Sequence, residues 1–331
     1  NDDEKENIDN TEILDEKPRR IILGLIAQIR KGTELHRIAL PAFVLEPRSM
    51  LERITDFMSH SDLILRLSLY VYLLIDFVEE LLLFSGVKKS YNPVLGEFFR
   101  TRWKYSDNTE ALYISEQVSH HPPISAYYYA SPENNVLIFG TLRPKSKFLG
   151  NSAATLMHGE TKLLFTNLPG EVYRITMPNF YARGILFGKM VMELGDKTTI
   201  RCEKNDLLCE MQFQTKGYFT GTYNSIYGRI MRESTRECLF EITGKWSNII
   251  YITNLKSGKS EVMFNALESA ICPKIVAPED MQGEKELWSK VTSALLAKNF
   301  DLATQEKFLI EEKQRKDTKL LEKDWQPKYF S

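Results

Sequence analysis

Cysteine is scarce in this chain, with four in 331 residues. None of Cys202, Cys209, Cys238 and Cys272 forms a Cys-x-x-Cys pair, and no histidine stands at zinc-finger spacing from them. That excludes the common structural zinc sites, and no metal is expected. Free thiols in a reducing, cytosolic setting are expected, most of them buried as packing residues. No signal peptide and no Asn-x-Ser/Thr sequon is read, which fits the same setting. Net charge is equally scarce, at −1. No global basic field argues for nucleic acid, so any anion site must be local.

Catalytic signatures are missing too. There is no His-Glu-x-x-His, no phosphate-binding P-loop and no dinucleotide fingerprint. No Ser, Cys or Asp motif is arranged with a histidine for nucleophilic catalysis. The enzymatic class left is a paired-carboxylate hydrolase, whose acids meet only in three dimensions. A non-enzyme without a cofactor is the expectation. Long uncharged runs are also lacking. The apolar segment 62–84 is interrupted by Arg66, Asp76, Glu79 and Glu80, and its longest uncharged stretch is 67–75. A span needs roughly 20 residues, so a helix buried in the fold, wet along its acidic side, is expected instead.

What is present divides by pattern. Residues 1–18 form an acidic tail, including Asp2, Asp3, Glu4 and Glu6, expected to be disordered. Arg19-Arg20 lead into a short apolar helix over 21–29 that Lys31-Gly32 ends. Core packing, a membrane-surface element and a movable cover are all open readings of it. Ser49 caps a further helix. From Phe98 the period becomes two. Strand-like runs follow at 98–105, 111–118, 125–130, 136–142, 153–165, 172–177, 182–194, 198–203, 208–214, 225–231, 238–246, 249–253 and 261–265. Turn signals such as Pro169-Gly170, Gly195-Asp196 and Ser257-Gly258 separate them. So many antiparallel strands exceed a comfortable open sheet, and closure removes the edges. A large β-barrel with helices on its N-terminal side is the fold these runs imply, and barrels of this size can enclose a ligand. An amphipathic helix over 285–297 and a helix capped by Asp301 close the chain, with the tail around Trp325 packing back on the body.

The most informative stretch is Glu116-Gln117-Val118-Ser119-His120-His121-Pro122-Pro123. Residues before proline are driven to extended geometry, and proline cannot donate to a ladder. The histidine pair is therefore held at a strand end. It is either a plain turn with two surface rings or a pair of N–H groups offered to an anion. The octapeptide resembles the signature of the oxysterol-binding-protein-related lipid-transfer family. Lys88-Lys89-Ser90-Tyr91-Asn92-Pro93-Val94-Leu95-Gly96-Glu97 looks like that family's Lys-Pro-x-Asn-Pro-x-Leu-Gly-Glu segment, with Ser90 where proline is usual. Lys145-Ser146-Lys147-Phe148 and Asn151-Ser152 resemble a later strand motif. The likeness runs from about residue 20 to 315.

The resemblance implies a mainly β fold with flanking helices (α+β): a large, near-complete antiparallel β-barrel around a hydrophobic tunnel, an N-terminal lid and C-terminal helices. A single lipid-binding domain would cover 19–331, with a lid region at 19–45, N-terminal helices at 46–97, the barrel at 98–270 and a helical region at 271–331. It also implies roles for residues that are otherwise commonplace. Lys307, Glu311 and Arg315, four apart on one helix face, read alone as a solvated face of intrahelical ion pairs. In the family such a set contacts the same headgroup as the histidines. Lys89 and Asn92, otherwise turn chemistry, would reach a phosphate and an inositol hydroxyl. Together these groups suit a ring-phosphorylated headgroup, phosphatidylinositol 4-phosphate. Thr33-Glu34-Leu35-His36-Arg37 and Leu45-Glu46-Pro47-Arg48-Ser49 look like the branch that exchanges phosphatidylserine. Leu35 and the Ser146 hydroxyl would then hold the serine headgroup, although Ser146 alone is an ordinary strand hydroxyl. A monomer making transient membrane contact is expected, peripheral at contact sites between endoplasmic reticulum and plasma membrane. A sterol-exchanging member is the alternative.

Overall fold

The alternation of apolar and polar residues that begins at Phe98 is realised as strands, because it lets each segment bury one face while its backbone pairs sideways. The computed structural model describes residues 11–12, 45–58, 89–149, 151–184, 190–216, 222–266, 272–276, 284–321 and 325–330. Short elements come first: β1 (Thr11–Glu12), β2 (Leu45–Ser49), α1 (Met50–Arg53), a 3-10 turn (Ile54–Met58) and β3 (Lys89–Tyr91). The sheet strands are β4 (Phe98–Lys104), β5 (Glu110–His120), β6 (Pro123–Ser131), β7 (Val136–Phe148), β8 (Ser152–Phe165), β9 (Val172–Ile175) and β10 (Asn179–Arg183). They continue as β11 (Met190–Cys202), β12 (Leu207–Gln214), β13 (Ser225–Arg232), β14 (Cys238–Lys245), β15 (Ile249–Asn254), β16 (Ser260–Asn265) and β17 (Lys274–Ile275). Three helices follow: α2 (Glu284–Leu287), α3 (Ser289–Leu296) and α4 (Phe300–Leu321).

One 15-stranded sheet runs from β16 through β15, β14 and so on to β4 and β17, with β1 and β9 both attached to β11. Among the described residues its strands pair antiparallel, as in Tyr113 opposite Tyr129 and Ile138 opposite Leu163. A single apolar core contains Trp103 and Tyr113 from one end of this order and Phe264 from the other. The sheet therefore curls so that both ends face one interior, which is how so long a sheet avoids two wet faces. Trp103 meets Tyr129 edge to face at 5.7 Å, and the Tyr129 hydroxyl is 2.8 Å from that of Tyr105. The buried phenol thus keeps a partner. β2 and β3 form a separate parallel pair.

Three sequence expectations need correction. The Gly195-Asp196 turn does not form. Asp196 has φ 71°, yet the strand continues through it, and the chain changes partner there. Gly195 lies opposite Asn179 of β10, while Asp196 lies opposite Phe213 of β12. A left-handed residue inside a ladder redirects the strand without reversing it. A Cβ on Gly195 would stand 2.7 Å from the Tyr181 ring, so only glycine fits. Asp301 is not the cap of α4. Asn299 is, with its Oδ1 accepting from the Leu302 N–H at 3.2 Å, and Asp301 falls in the first turn, where a carboxylate suits the dipole. The single helix expected over 285–297 breaks into α2 and α3 at Trp288.

Within the tail expected to be disordered, Thr11–Glu12 pairs antiparallel with Met190 and Val191 of β11. The helix over 21–29, the helical segment 62–84 and Leu35 lie outside the described residues, as does most of the lid region. No described helix is long and apolar enough to cross a membrane.

Candidate functional site

The octapeptide closes the β5–β6 hairpin. Pairing runs down to His120 opposite Pro123, with a register shift between Gln117 and Ser119. Gln117 holds that irregularity: its Nε2 donates to the Ser119 carbonyl at 2.7 Å, and its Oε1 accepts from Ser125 at 2.6 Å. Ser119 Oγ donates to the Pro122 carbonyl at 2.7 Å, supplying a donor in a turn where Pro122 and Pro123 have no N–H to offer. The histidine rings stand 4.6 Å apart, edge to face. His120 Nδ1 lies 3.1 Å from the Pro93 carbonyl, so Nδ1 carries the proton and Nε2 is the remaining polar atom of the ring. His121 is exposed.

That hydrogen bond joins the histidines to the second candidate segment. Asn92, half-buried, immediately precedes Pro93 in the stretch after β3. Lys89 opens β3, with its backbone opposite Leu45. The segment is fixed by Glu97. This buried carboxylate accepts from Ser49 Oγ at 2.6 Å, from the Val94 N–H at 2.9 Å and from Trp288 Nε1 at 3.0 Å. Burial pushes the Glu97 carboxyl up from 4.5 to about 7, against the opposing pull of these bonds. The neighbouring Gly96 has φ 78° and lies flat against the Trp325 ring, where a Cβ would be 3.6 Å away.

The third segment is α4. Ala303 and Ile310 pack it onto a cluster of Tyr91, Trp288, Val291 and Val94. Tyr91 stacks on Trp288 at 4.6 Å, and its hydroxyl is 2.9 Å from that of Thr292. Lys307 falls between Ala303 and Ile310 on the same stripe and is 8% exposed, which is low for an ammonium group. Its Nζ is 2.7 Å from Glu311 Oε1, while Arg315 is 4.0 Å from the other oxygen and largely exposed. The ion-pair geometry is thus real, but the face is not simply solvated, since its first member is buried.

The histidines, the Asn92–Pro93 stretch and α4 therefore belong to one packed unit. Ser146 does not join it directly. It lies on β7 on the face of Leu142 and Phe148, both buried, so it belongs to the inward side of the sheet. Its Oγ is 2.8 Å from Thr155 Oγ1 on β8. Leu35 lies outside the described residues, so its assignment has no geometry.

Two carboxylates that organise this region were not singled out from sequence. Glu97 is one. Glu116, first residue of the octapeptide, is the other: buried, it accepts the backbone N–H groups of Lys328 and Tyr329 at 2.7 and 2.8 Å. The C-terminal segment is thereby clasped against β4, with Tyr329 edge-on to Phe98 at 5.2 Å. Both acids stand at the ends of the motifs already quoted, a signal that marked their position but not their work.

The chain matches the family model described as oxysterol-binding protein over residues 24–299. That range contains the histidine pair and ends just before α4. An oxysterol-binding protein homolog of Schizosaccharomyces pombe is 42% identical, covering 99% of this chain and 73% of that protein. Oxysterol-binding protein homolog 7 of Saccharomyces cerevisiae is 43% identical, covering 89% and 71%. Among solved structures, the Osh1 ORD domain in complex with cholesterol superposes with a TM-score of 0.77 at 22% identity, covering 98% of this chain and 86% of that one. The Osh3 ORD in complex with PI(4)P from Saccharomyces cerevisiae gives 0.66 at 22% identity, covering 89% and 82%. These two likenesses establish the fold.

Proposed function

The chain belongs to the oxysterol-binding protein family, and on that premise we propose that it is a lipid carrier that takes one phosphatidylserine molecule into its barrel and exchanges it for phosphatidylinositol 4-phosphate between membranes. The observation that carries this reading is the hydrogen bond from His120 to the Pro93 carbonyl, which ties the histidine pair to the Asn92 segment against which α4 packs. Hydrogen-bond donors and cations from three distant parts of the sequence then serve one anionic headgroup. A phosphomonoester carries nearly two charges and several acceptor oxygens, which His121, Asn92, Lys307 and Arg315 suit better than they suit a neutral sterol hydroxyl. Glu311 holds Lys307 in place until phosphate competes for it. Acyl chains leaving a bilayer for an apolar interior keep roughly 0.8 kcal/mol per buried CH2. Two lipids that cannot share one interior exchange by mutual exclusion, without covalent chemistry. The protein would work peripherally, at sites where endoplasmic reticulum and plasma membrane come close.

A sterol in place of phosphatidylserine is the second reading, favoured by the fold shared with a domain solved in complex with cholesterol. Ser146 separates the two, since its inward hydroxyl serves a serine headgroup and has no required part with a sterol. The test is transfer of phosphatidylserine between liposomes, with and without phosphatidylinositol 4-phosphate in the acceptor. Acceleration by the phosphoinositide, lost in His120→Ala/His121→Ala, is expected. Sterol transfer without phosphatidylserine transfer would overturn the phosphatidylserine assignment.

A further inference from the structure

The outward face of β4–β9 does not match the rest of the molecule. Its inward positions, such as Tyr113, Tyr129, Ile138, Leu163 and Tyr173, are all buried in the core. The alternate positions therefore point out, and the pairing register reads them as rows across the strands. One row is Leu112, Ala130, Leu137, Leu164 and Val172. The next contains Ile114, Tyr128, Phe139 and Lys162. Leu112 is 57% exposed and Tyr128 38%. On β4 these rows begin with Arg102 and Arg100, and the second ends on Lys162 and Arg174. A half-buried antiparallel sheet ordinarily turns polar residues to this side, so the apolar residues that fill the two rows between those cations call for an explanation.

The charges around these rows are one-sided. Lys104, Arg143, Lys145, Lys147 and Lys162 occupy outward positions and have no acidic partner within ion-pair distance among the described residues. The acids of the same face are all engaged. Glu110 lies 3.8 Å from Arg102, Glu160 is 2.8 Å from Arg174, and Glu116 is sealed under the C-terminal segment. In a chain of net charge −1, this concentrates positive charge on one sheet face.

We propose that the outward face of β4–β9 is a docking surface for an anionic lipid bilayer, distinct from the headgroup cluster. The chemistry fits that partner in each part. Leu112 and Leu137 offer apolar area to the acyl boundary. Tyr128 and Phe139, stacked at 6.3 Å, suit the headgroup level. The lysines and Arg143 meet lipid phosphates, a contribution that salt weakens. A nucleic acid would leave the apolar rows uncovered, and a purely electrostatic partner would not need them. The inference holds whichever lipid the interior carries.

The test is co-sedimentation of the full chain with phosphatidylcholine vesicles containing or lacking phosphatidylglycerol, an anionic lipid that is not a proposed cargo. Binding to the anionic vesicles, reduced by salt, is expected. Arg143→Gln/Lys162→Gln should weaken it about thirtyfold, from the usual contribution of two cations near such a surface. Leu112→Ser/Tyr128→Ser should weaken the salt-resistant remainder. Binding of a water-soluble, short-chain phosphatidylinositol 4-phosphate should be unchanged in both variants, which also reports that they are folded. Vesicle binding at wild-type strength in both variants would overturn the proposal and leave the carrier reading untouched. Binding of wild type to duplex DNA or polyglutamate but not to vesicles would overturn it as well. Loss of the soluble phosphoinositide in His120→Ala/His121→Ala alone bears on the carrier reading and not on this surface.

Discussion

Glu97→Gln gives the sharpest test of how this site is built. The Glu97 carboxylate is the common acceptor for Ser49, the Val94 N–H and Trp288. It thus binds the cap of α1, the segment after Asn92 and the break between α2 and α3 to one buried point. Burial raises its pKa from 4.5 to about 7. Below pH 4.5 the group is protonated in both the folded and unfolded chains. Between 4.5 and about 7 the folded chain holds a proton that the unfolded chain has lost, so stability falls as pH rises. Above about 7 the effect is complete. At about 1.4 kcal/mol per pH unit, the loss across this window is about 3 kcal/mol. Glutamine keeps the shape and an acceptor oxygen but cannot ionise. Urea denaturation of both proteins between pH 4 and pH 8 reports on this centre, because the titrations of groups that do not interact with Glu97 cancel in the difference. The stability of Glu97→Gln relative to wild type should rise by about 3 kcal/mol across the window and then level off. Two parallel profiles would refute the argument that Glu97 is the buried titrating centre.

Glu116→Ala removes the acceptor of two backbone N–H groups, each worth about 1.5–3 kcal/mol when the acceptor is charged. Amide exchange at Lys328 and Tyr329 should accelerate more than about tenfold, as should tryptic cleavage after Lys328, with the barrel amides unaffected. Lys307→Ala leaves Glu311 half-buried without its 2.7 Å partner. It should cost about 1–3 kcal/mol in denaturant titrations, less than for a fully buried pair, and it should weaken soluble phosphatidylinositol 4-phosphate binding. Deleting residues 1–18 removes eight acidic side chains, and repulsion by them predicts that residence on anionic liposomes at low salt should increase. Unchanged residence would dismiss that role for the tail.

Much of the fold was legible because strands and turns are local. The period-two alternation from Phe98 onward marked most of the sheet, and Gly170 and Gly258 take positive φ where turn chemistry asked for it. Gly195-Asp196 misled because a turn and a strand-redirecting kink use the same residues. Which of them forms depends on whether β10 and β12 arrive to pair on either side. Asp301 misled by two positions, since Asn299 offers the same capping chemistry and the end of α3 decided which residue stood free.

The candidate site divides in the same way. The octapeptide and the spacing of Lys307, Glu311 and Arg315 were written in the chain, since each is a matter of neighbours along one strand or one helix face. The work of Glu97 and Glu116 was not. Their partners Trp288 and Lys328 stand 191 and 212 residues away, and a hydrogen bond across such a separation exists only after the sheet has curled and α4 has docked. By itself, the sequence determined the family, the strand pattern and the chemistry on offer. Only the tertiary structure decided which of those groups meet, because burial and long-range pairing are properties of the assembled core and not of any window along the chain.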